Sequence, residues 1–416
     1  MKTMTLSEEL TWRGFVNQTT YKEMRVLDTE RVTFYLGVDP SAPSMTIGNL
    51  ATVMMVRHFA AAGHKAILLV GGATGLIGDP DGKAEERTLL TLQQIATNKA
   101  NIAKQYKQIL GDIPFTPVDN YDWFKDVGYL EFLRDIGKHV PMSQMLGREF
   151  VQTRLGEHGS GISYAEFSYA LIQGYDFLHL FRQHNCTLQL CGSDQWGNSV
   201  AGIELVRRIE GAEVNIWSAP LVINKATGVK FGKSEAGAVW LDPELTSPYQ
   251  FYQFWLNVDD EGVEDYLKIY TLKNQQEIAD IMNEFTADPS KRYAQKVLAY
   301  EVTALVHGTD RAESVMRMTE VLFGNKDYAL LSEDDYHDLG KELGTVSAET
   351  TDLVQLVVLA GLATSKAEAR RFIAAGAIYV NGLQVSPTTL TIDIESNHGY
   401  VVLRRGKNNQ KIIYFA

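Results

Sequence analysis

At 416 residues, with 45% hydrophobic and 10% aromatic side chains, the chain can bury sizeable cores in roughly two or three domains. Two cysteines, Cys186 and Cys191, exclude a disulfide framework, and nothing resembles a leader or a run of about 18 apolar residues, so a reducing cytoplasm and no membrane are expected. The net charge of −12 argues against a nucleic-acid coat, yet residues 352–416 carry seven Lys/Arg against four acids, +3 there and −15 elsewhere, so a basic tail can still meet a phosphate backbone.

In chain order, "RVTFYLGVD" (31–39) reads as a buried strand. "TIGNLATVMMVRHFAAAGH" (46–64) reads as a helix with Ile47, Leu50, Met54 and Phe59 on its apolar side. "KAILLVGG" (65–72) is a second strand, so the three form a βαβ unit and predict a parallel sheet. The turn "GVDPSAPSMTIG" gathers Gly37, Asp39, Ser41 and Gly48 at a strand-to-helix junction, where free N–H groups and the helix dipole favour phosphate. A helix capped by Ser44 explains the same residues.

After the second strand, "GGATGLIGDPDGKAEER" (71–87) fits neither the dinucleotide fingerprint nor a Walker A loop, because Ala84 stands where Ser or Thr is needed. Asp79 suits an ammonium group, and Lys83 and Arg87 suit anions or plain surface charge. Residues 90–175 read as a mostly helical insertion. At its end "SYALIQGYD" puts Tyr169, Gln173 and Asp176 on one helix face, a pocket wall for a polar ligand. "CTLQLCGSD" (186–194) is a further strand, followed by the helix "QWGNSVAGIELVRRI" and the strand "IWSAPLVIN". Ligands of doubly wound sheets lie at strand carboxyl ends, so Gly192, Asp194 and Gln195 are expected in one crevice with Gly37 and Asp39. The odd spacing of Cys186 and Cys191 points them to opposite faces as buried thiols, and no protein metal site is expected.

The glycine-rich loop "NKATGVKFGKSEAGAVW" (224–240) carries Lys225, Lys230, Lys233 and Ser234, either a solvated basic loop or groups for charge developing on a polyphosphate. The fold class is therefore α/β: a Rossmann-like doubly wound parallel sheet over 1–246 with the helical insertion at about 90–175. An α-helical domain follows over 247–323, then a linker over 324–350 that opens on the polar "GNKDYALLSEDDYHD", and a small α+β domain over 351–416. In that last domain Ser365 and Glu368 form a capping box and Asn381-Gly382 a tight hairpin turn. Lys366, Arg370 and Arg371 on or beside one small helix are suited to an RNA backbone.

Taken together, these segments resemble the bacterial tyrosyl-tRNA synthetases, a family of class I aminoacyl-tRNA synthetases, over nearly the whole chain. "YLGVDPSAPSMTIGNL" is similar to the family's first signature and "KFGKS" to its Lys-Met-Ser-Lys-Ser loop. "SDQWGN" and "SYAEFSYALIQGYDFL" are similar to its tyrosine-site segments, and the tail to an S4 RNA-binding domain. The resemblance implies ATP-dependent activation of L-tyrosine, with Mg2+ accompanying ATP, and transfer to the 3′ end of the tRNA for tyrosine. It implies that Tyr35 and Asp176 receive the substrate phenol and that Asp79, Tyr169 and Gln173 take its ammonium. Asn120 would support that pocket and Gln195 lie near the carboxylate. Gly37, Asp39, Gly48, Gly192 and Asp194 would frame adenosine, with Asp194 on the ribose; Lys83, Arg87, Lys230 and Lys233, joined by Ser41 and Ser234, would act on pyrophosphate. A homodimer joined through the helical insertion is also implied.

The departures fall at the opening motif. Members commonly carry His at both ends of the tetrapeptide occupied here by Thr46 and Asn49, and Leu36 stands where a ribose-contacting cysteine can occur. A hydroxyl and an amide remain as donors, but no imidazolium charge. Three other readings use the same residues: a relative without aminoacylation that binds RNA or senses tyrosine, a dinucleotide-forming nucleotidyltransferase, and a tryptophan-specific enzyme. The second has no need of the basic tail, and an indole offers only one donor to Tyr35 and Asp176.

Overall fold

Unbroken apolar runs such as residues 34–36 and 66–70 suit strands covered on both faces, and all of these side chains are buried. In a computed structural model, which describes residues 4–79, 89–147, 149–156, 159–234, 237–324, 326–385, 392, 397–406 and 409–415, they lie in a six-stranded sheet. Its strands are β1 (Gln18–Thr19), β2 (Thr33–Val38), β3 (Lys65–Val70), β4 (Phe115–Asp119), β5 (Cys186–Gly192) and β6 (Asn215–Ala219). They are arranged β1-β6-β5-β2-β3-β4, all parallel except β1. The chain runs outward from β2 through β3 to β4, then returns to β5 on the other side. The order therefore reverses between β2 and β5, the crevice position of doubly wound sheets.

The segment expected to be mostly helical also contains β4, an edge strand. Pro117 has no N–H for a second neighbour, which an edge tolerates, and its presence hides the strand from a propensity reading. The first long helix, Ile47–Ala61, is capped by Thr46 and not by Ser44. Ser44 is buried, and its hydroxyl accepts from Gln105 Nε2 at 2.7 Å and from the Asp242 N–H at 3.1 Å. The helices Tyr164–His184 and Trp196–Glu210 cross closely because their contact is made of small residues: a Cβ on Gly202 would lie 2.9 Å from the Phe177 Cβ.

Two compact units make up the chain, Met1–Val306 and His307–Ala416. The stretch expected to be one helical domain over 247–323 is divided between them. Within the first unit, β7 (Lys233–Ser234) and β8 (Gly237–Ala238) form a small hairpin, followed by the helices Pro248–Leu256, Val263–Tyr270 and Gln275–Ala287. The end of Val263–Tyr270 is held from far away in sequence. Arg13, 3% exposed, donates to the carbonyls of Lys268 (2.7 Å), Thr271 (3.1 Å) and Lys273 (2.8 Å), while its Nε–H meets Glu9 at 2.9 Å. Arg13→Met keeps the stem and removes all four bonds. It is expected to lower stability by about 2–3 kcal/mol, because helix-end carbonyls lose their charged donor. A lower urea midpoint for the first unit would show it; an unchanged midpoint would mean that water serves those carbonyls equally well.

In the second unit, β9 (Thr345–Ala348), β10 (Ile378–Val380), β11 (Leu383–Val385), β12 (Tyr400–Arg405) and β13 (Asn409–Phe415) are arranged β11-β10-β12-β13-β9. Among these described strands only β13 with β9 is parallel. The turn between β10 and β11 is the expected Asn381-Gly382, both at positive φ (45° and 76°). Residues 324–350, expected as a linker, hold the helix Glu333–Leu343 as well as β9. Their polarity is misleading: Tyr336 and Leu339 are fully buried, and Asp335 is buried because Ser314 and the Arg317 guanidinium satisfy its carboxylate. Ser365 caps the helix Lys366–Ala374 as expected, but Glu368 turns back to Thr364, not to Ser365.

Candidate functional site

The carboxyl ends of β2 and β5 and the long helix Tyr164–His184 bring together polar groups that the core does not otherwise use. Tyr35, on β2, is 1% exposed, packs edge-on against Phe177 at 5.3 Å, and its hydroxyl has no hydrogen-bond partner among the described residues. Burial, with the nearby charge of Asp176 adding to it, pushes the Tyr35 phenol well above its ordinary range. Asp176 is equally buried. One oxygen accepts from Asn120 Nδ2 at 3.1 Å and the other from Trp123 Nε1 at 3.0 Å. Its pKa is raised well above the carboxylate norm, chiefly by burial; the two donated bonds oppose that rise, and the charges of Asp39 and Asp119 reinforce it.

From Asn120 the bonds continue. Its Nδ2 also reaches Thr74 Oγ1 at 3.1 Å, and its carbonyl oxygen accepts from the Ala73 N–H at 2.7 Å. The Thr74 hydroxyl donates to Asp39 Oδ1 at 2.6 Å, and Tyr169 donates to Asp39 Oδ2 at 2.7 Å. Burial first, and then the charges of Asp39 and Asp79, raise the Tyr169 phenol well above its usual range, so it stays a donor. Nearby, Gln195 Nε2 meets Asp79 at 2.5 Å, and Asn198, 2% exposed, bridges Gln195 and Asp79. The Gln173 carbonyl oxygen is buried and has no partner among the described residues. Three acids, two phenols and four amides gathered in this way suit a ligand that brings an ammonium group and a hydroxyl.

The expected nucleotide side lies at the same strand ends. Gly37 is exposed near the end of β2, and Gly192 ends β5, where a Cβ would come within 2.6 Å of Asp194 Oδ1. Ser41 is exposed, and Gly48 lies in the first turn of Ile47–Ala61. Thr46 donates to Asn49 Oδ1 through both its N–H (2.9 Å) and its hydroxyl (3.0 Å), so the Asn49 amide NH2 is left as that side chain's donor. Lys230 Nζ is 3.6 Å from Asp194. Lys233 and Ser234 are described by their backbone in β7, while Lys83 and Arg87 lie outside the described residues.

The lysine loop is tied to the helix that carries Thr46 and Asn49. The backbone of Thr46 bridges Trp240, the Ile47 N–H donates to the Val239 carbonyl at 3.1 Å, and the Val239 N–H donates to Gly232 at 3.0 Å. Gly232 has φ +100°, and a Cβ there would lie 2.9 Å from Ile47 Cγ1, so any other residue would be strained in its backbone and press on the Ile47 side chain. Phe231 is stacked on Tyr266 at 4.3 Å and 23° and flanked by Phe254 and Trp255.

Sequence reasoning does not single out Thr74, Trp123 or Asn198. Their signal is weak: one hydroxyl in a glycine loop, one indole beside Asn120, and one amide after Gln195. Lys366, Arg370 and Arg371 are exposed on Lys366–Ala374 in the second unit, with Arg371 paired to Glu368 at 3.2 Å. Next to them Arg405 lies over the Phe372 ring, and Arg404 over Tyr379 at 4.1 Å. Both cysteines are buried free thiols, as expected. Among the described residues no helix is long and apolar enough to cross a membrane.

Residues 27–324 match the family described as tRNA synthetases class I (W and Y), and residues 337–413 match the tyrosine–tRNA ligase SYY-like C-terminal domain. A tyrosine–tRNA ligase of Geobacillus kaustophilus is 45% identical over 99% of this chain and 100% of its own length. One from Limosilactobacillus fermentum is 43% identical over 98% of each. Among solved structures, a C-terminally truncated mitochondrial tyrosyl-tRNA synthetase of Aspergillus nidulans superposes with a TM-score of 0.70 at 33% identity, covering 77% of this chain and 95% of that one.

Proposed function

Because the chain belongs to the class I tRNA synthetases and is a tyrosine–tRNA ligase, we propose that the groups around Asp176 are its tyrosine site and the strand ends beside them its ATP site. The observation that carries the site is the buried Asp176 carboxylate, held by Asn120 and Trp123 beside the Tyr35 hydroxyl, which has no partner among the described residues. A phenol entering there accepts from Tyr35, giving that buried hydroxyl its partner, and donates to a remaining lone pair of Asp176. Asp79, Tyr169 and Gln173 take the ammonium, and Gln195, bonded to Asp79, lies near the carboxylate.

Activation then follows by placement. The substrate carboxylate attacks the α-phosphorus of ATP, the bond to the bridging oxygen breaks, and pyrophosphate leaves; no protein nucleophile takes part. Gly37, Asp39, Gly48, Gly192 and Asp194 frame the adenosine. Lys83, Arg87, Lys230 and Lys233, with Ser41 and Ser234, meet the charge that builds on the departing pyrophosphate, whose Mg2+ arrives with ATP. In the second step a ribose hydroxyl at the tRNA 3′ end attacks the tyrosyl carbonyl and AMP leaves. Lys366, Arg370 and Arg371 on an S4-like domain hold the RNA backbone, the counterpart of an otherwise acidic chain.

A homodimer built through the helical insertion accounts for exposed Tyr129, Leu130, Met142, Leu155 and Tyr164, apolar surface that a monomer would leave wet. The cytoplasm, where tRNA and reduced thiols coexist, is the setting. The test is tyrosine-dependent exchange of pyrophosphate into ATP, followed by charging of purified tRNA for tyrosine. Both are expected with the full chain. Folded protein that gives no exchange above background removes the ATP-site reading; exchange without charging removes the RNA assignment.

A further inference from the structure

Trp123 reaches Asp176 from a short element at the rim of the core. It sits in the single helical turn Tyr121–Phe124, which buries none of its residues and has no side-chain cap, yet its N–H must point accurately to meet the carboxylate at 3.0 Å. Such a turn does not by itself aim an indole. Its turn is anchored by Phe124 on Phe132 and Tyr175, and the face of the indole is met by the long helix opposite: Trp123 stacks on His179 with centroids 4.3 Å apart and planes 17° apart. His179 follows Asp176 at i, i+3, so both project from one face of Tyr164–His184. The indole is thus clipped across one helical turn, its N–H on Asp176 and its ring on His179. Burial, and then the charges of His184 and Arg182, lower the His179 pKa, so near neutral pH it stacks as an uncharged ring.

We propose that His179 is a positioning residue for tyrosine recognition: by holding the Trp123 ring it aims the indole N–H at Asp176 and keeps the free lone pairs of that carboxylate turned toward the substrate hydroxyl. The proposal rests on the reading of Asp176 as the phenol acceptor. It gives the enzyme a discriminating residue that touches no substrate, and it explains why a half-exposed tryptophan turn can serve a buried site.

The test compares full-length His179→Ala, His179→Leu, His179→Phe, Trp123→Phe and the Trp123→Phe/His179→Ala pair by pyrophosphate exchange with tyrosine and with phenylalanine. Loss of the stacked ring in His179→Ala or His179→Leu is expected to raise KM for tyrosine about three- to tenfold and to lower the preference for tyrosine over phenylalanine equally, with kcat nearly unchanged. His179→Phe, which restores a ring, is expected to recover both, and the double variant to be no worse than Trp123→Phe. The leucine variant fills the space without a ring, so a misfolded alanine variant does not decide the matter. Wild-type KM and preference in His179→Leu, failure of His179→Phe to rescue, or additivity in the double variant would each overturn the proposal. If Trp123→Phe itself leaves the preference unchanged, the indole N–H plays no part in recognition and the proposal falls, while the phenol reading of Asp176 falls only if Asp176→Asn also leaves the preference unchanged; if Trp123→Phe shifts it and His179→Leu does not, only the role of His179 is wrong.

Discussion

Asp176→Asn is expected to lower kcat/KM for tyrosine by about 10²–10³-fold, the consequence of about 3–4 kcal/mol for breaking a buried hydrogen-bond set. The reason is the direction of the donors. Both Asp176 oxygens already accept from N–H groups, Asn120 on one side and Trp123 on the other. A carboxylate has lone pairs to spare for a third donor, the substrate phenol. An amide has one oxygen and one NH2, so whichever way the substituted side chain turns, an N–H faces the N–H of Asn120 or Trp123. The remaining acceptor is then drawn away from the ligand, and Tyr35 is left beside it without a partner. Phenylalanine, which offers no hydroxyl, is expected to lose far less, so the tyrosine-to-phenylalanine ratio should collapse. Exchange kinetics with both amino acids check this; an equal loss for the two would mean that Asp176 supports the fold of the pocket and does not read the phenol.

Lys233→Ala is expected to lower kcat by about 10²–10³-fold with little change in KM for tyrosine, the size seen when a group aimed at developing charge is removed. Lys230→Ala should act in the same direction, since Lys230 starts from a pairing with Asp194 at 3.6 Å that the nucleotide would have to share. The demand on these lysines is unusual here because the opening motif has no imidazole. Asn49 has its carbonyl engaged by Thr46 and offers only an uncharged NH2. Asn49→Ala is therefore expected to cost about tenfold in kcat, a neutral hydrogen bond and not a charge. Single-turnover formation of tyrosyl adenylate separates the two; a larger loss in Asn49→Ala than in Lys233→Ala would reverse the assignment of charge to the loop.

Particular residues show what can be read locally. Helix periodicity alone places Tyr169, Gln173 and Asp176 together, and the end of an apolar run places Asp39, because those arguments use only local spacing, whereas Tyr35 is pointed to by the family resemblance alone. Ser44 and Thr46 cannot be told apart as caps in this way, since the choice depends on Gln105 and Asp242 claiming the Ser44 hydroxyl from 61 and 198 residues away. The strand β4 is hidden by Pro117, acceptable only because the strand lies at an edge. The helix Glu333–Leu343 is hidden by its acids, one of which is buried against Arg317 on another helix.

The class of fold, the family and most of the side chains proposed here to meet tyrosine, ATP and RNA are carried by local patterns and contiguous motifs, and so are legible in the chain before it folds. How those side chains are held is not: the relay from Asp176 through Asn120 and Thr74 to Asp39, the pairing of Gln195 with Asp79, and the clip of Trp123 over His179 belong to the folded molecule. The physical reason is reach. Hydrogen-bond partners 35 to 130 residues apart, such as Thr74 or Tyr169 with Asp39, leave no mark on local composition. They exist only once a parallel sheet has brought the ends of its strands to one side.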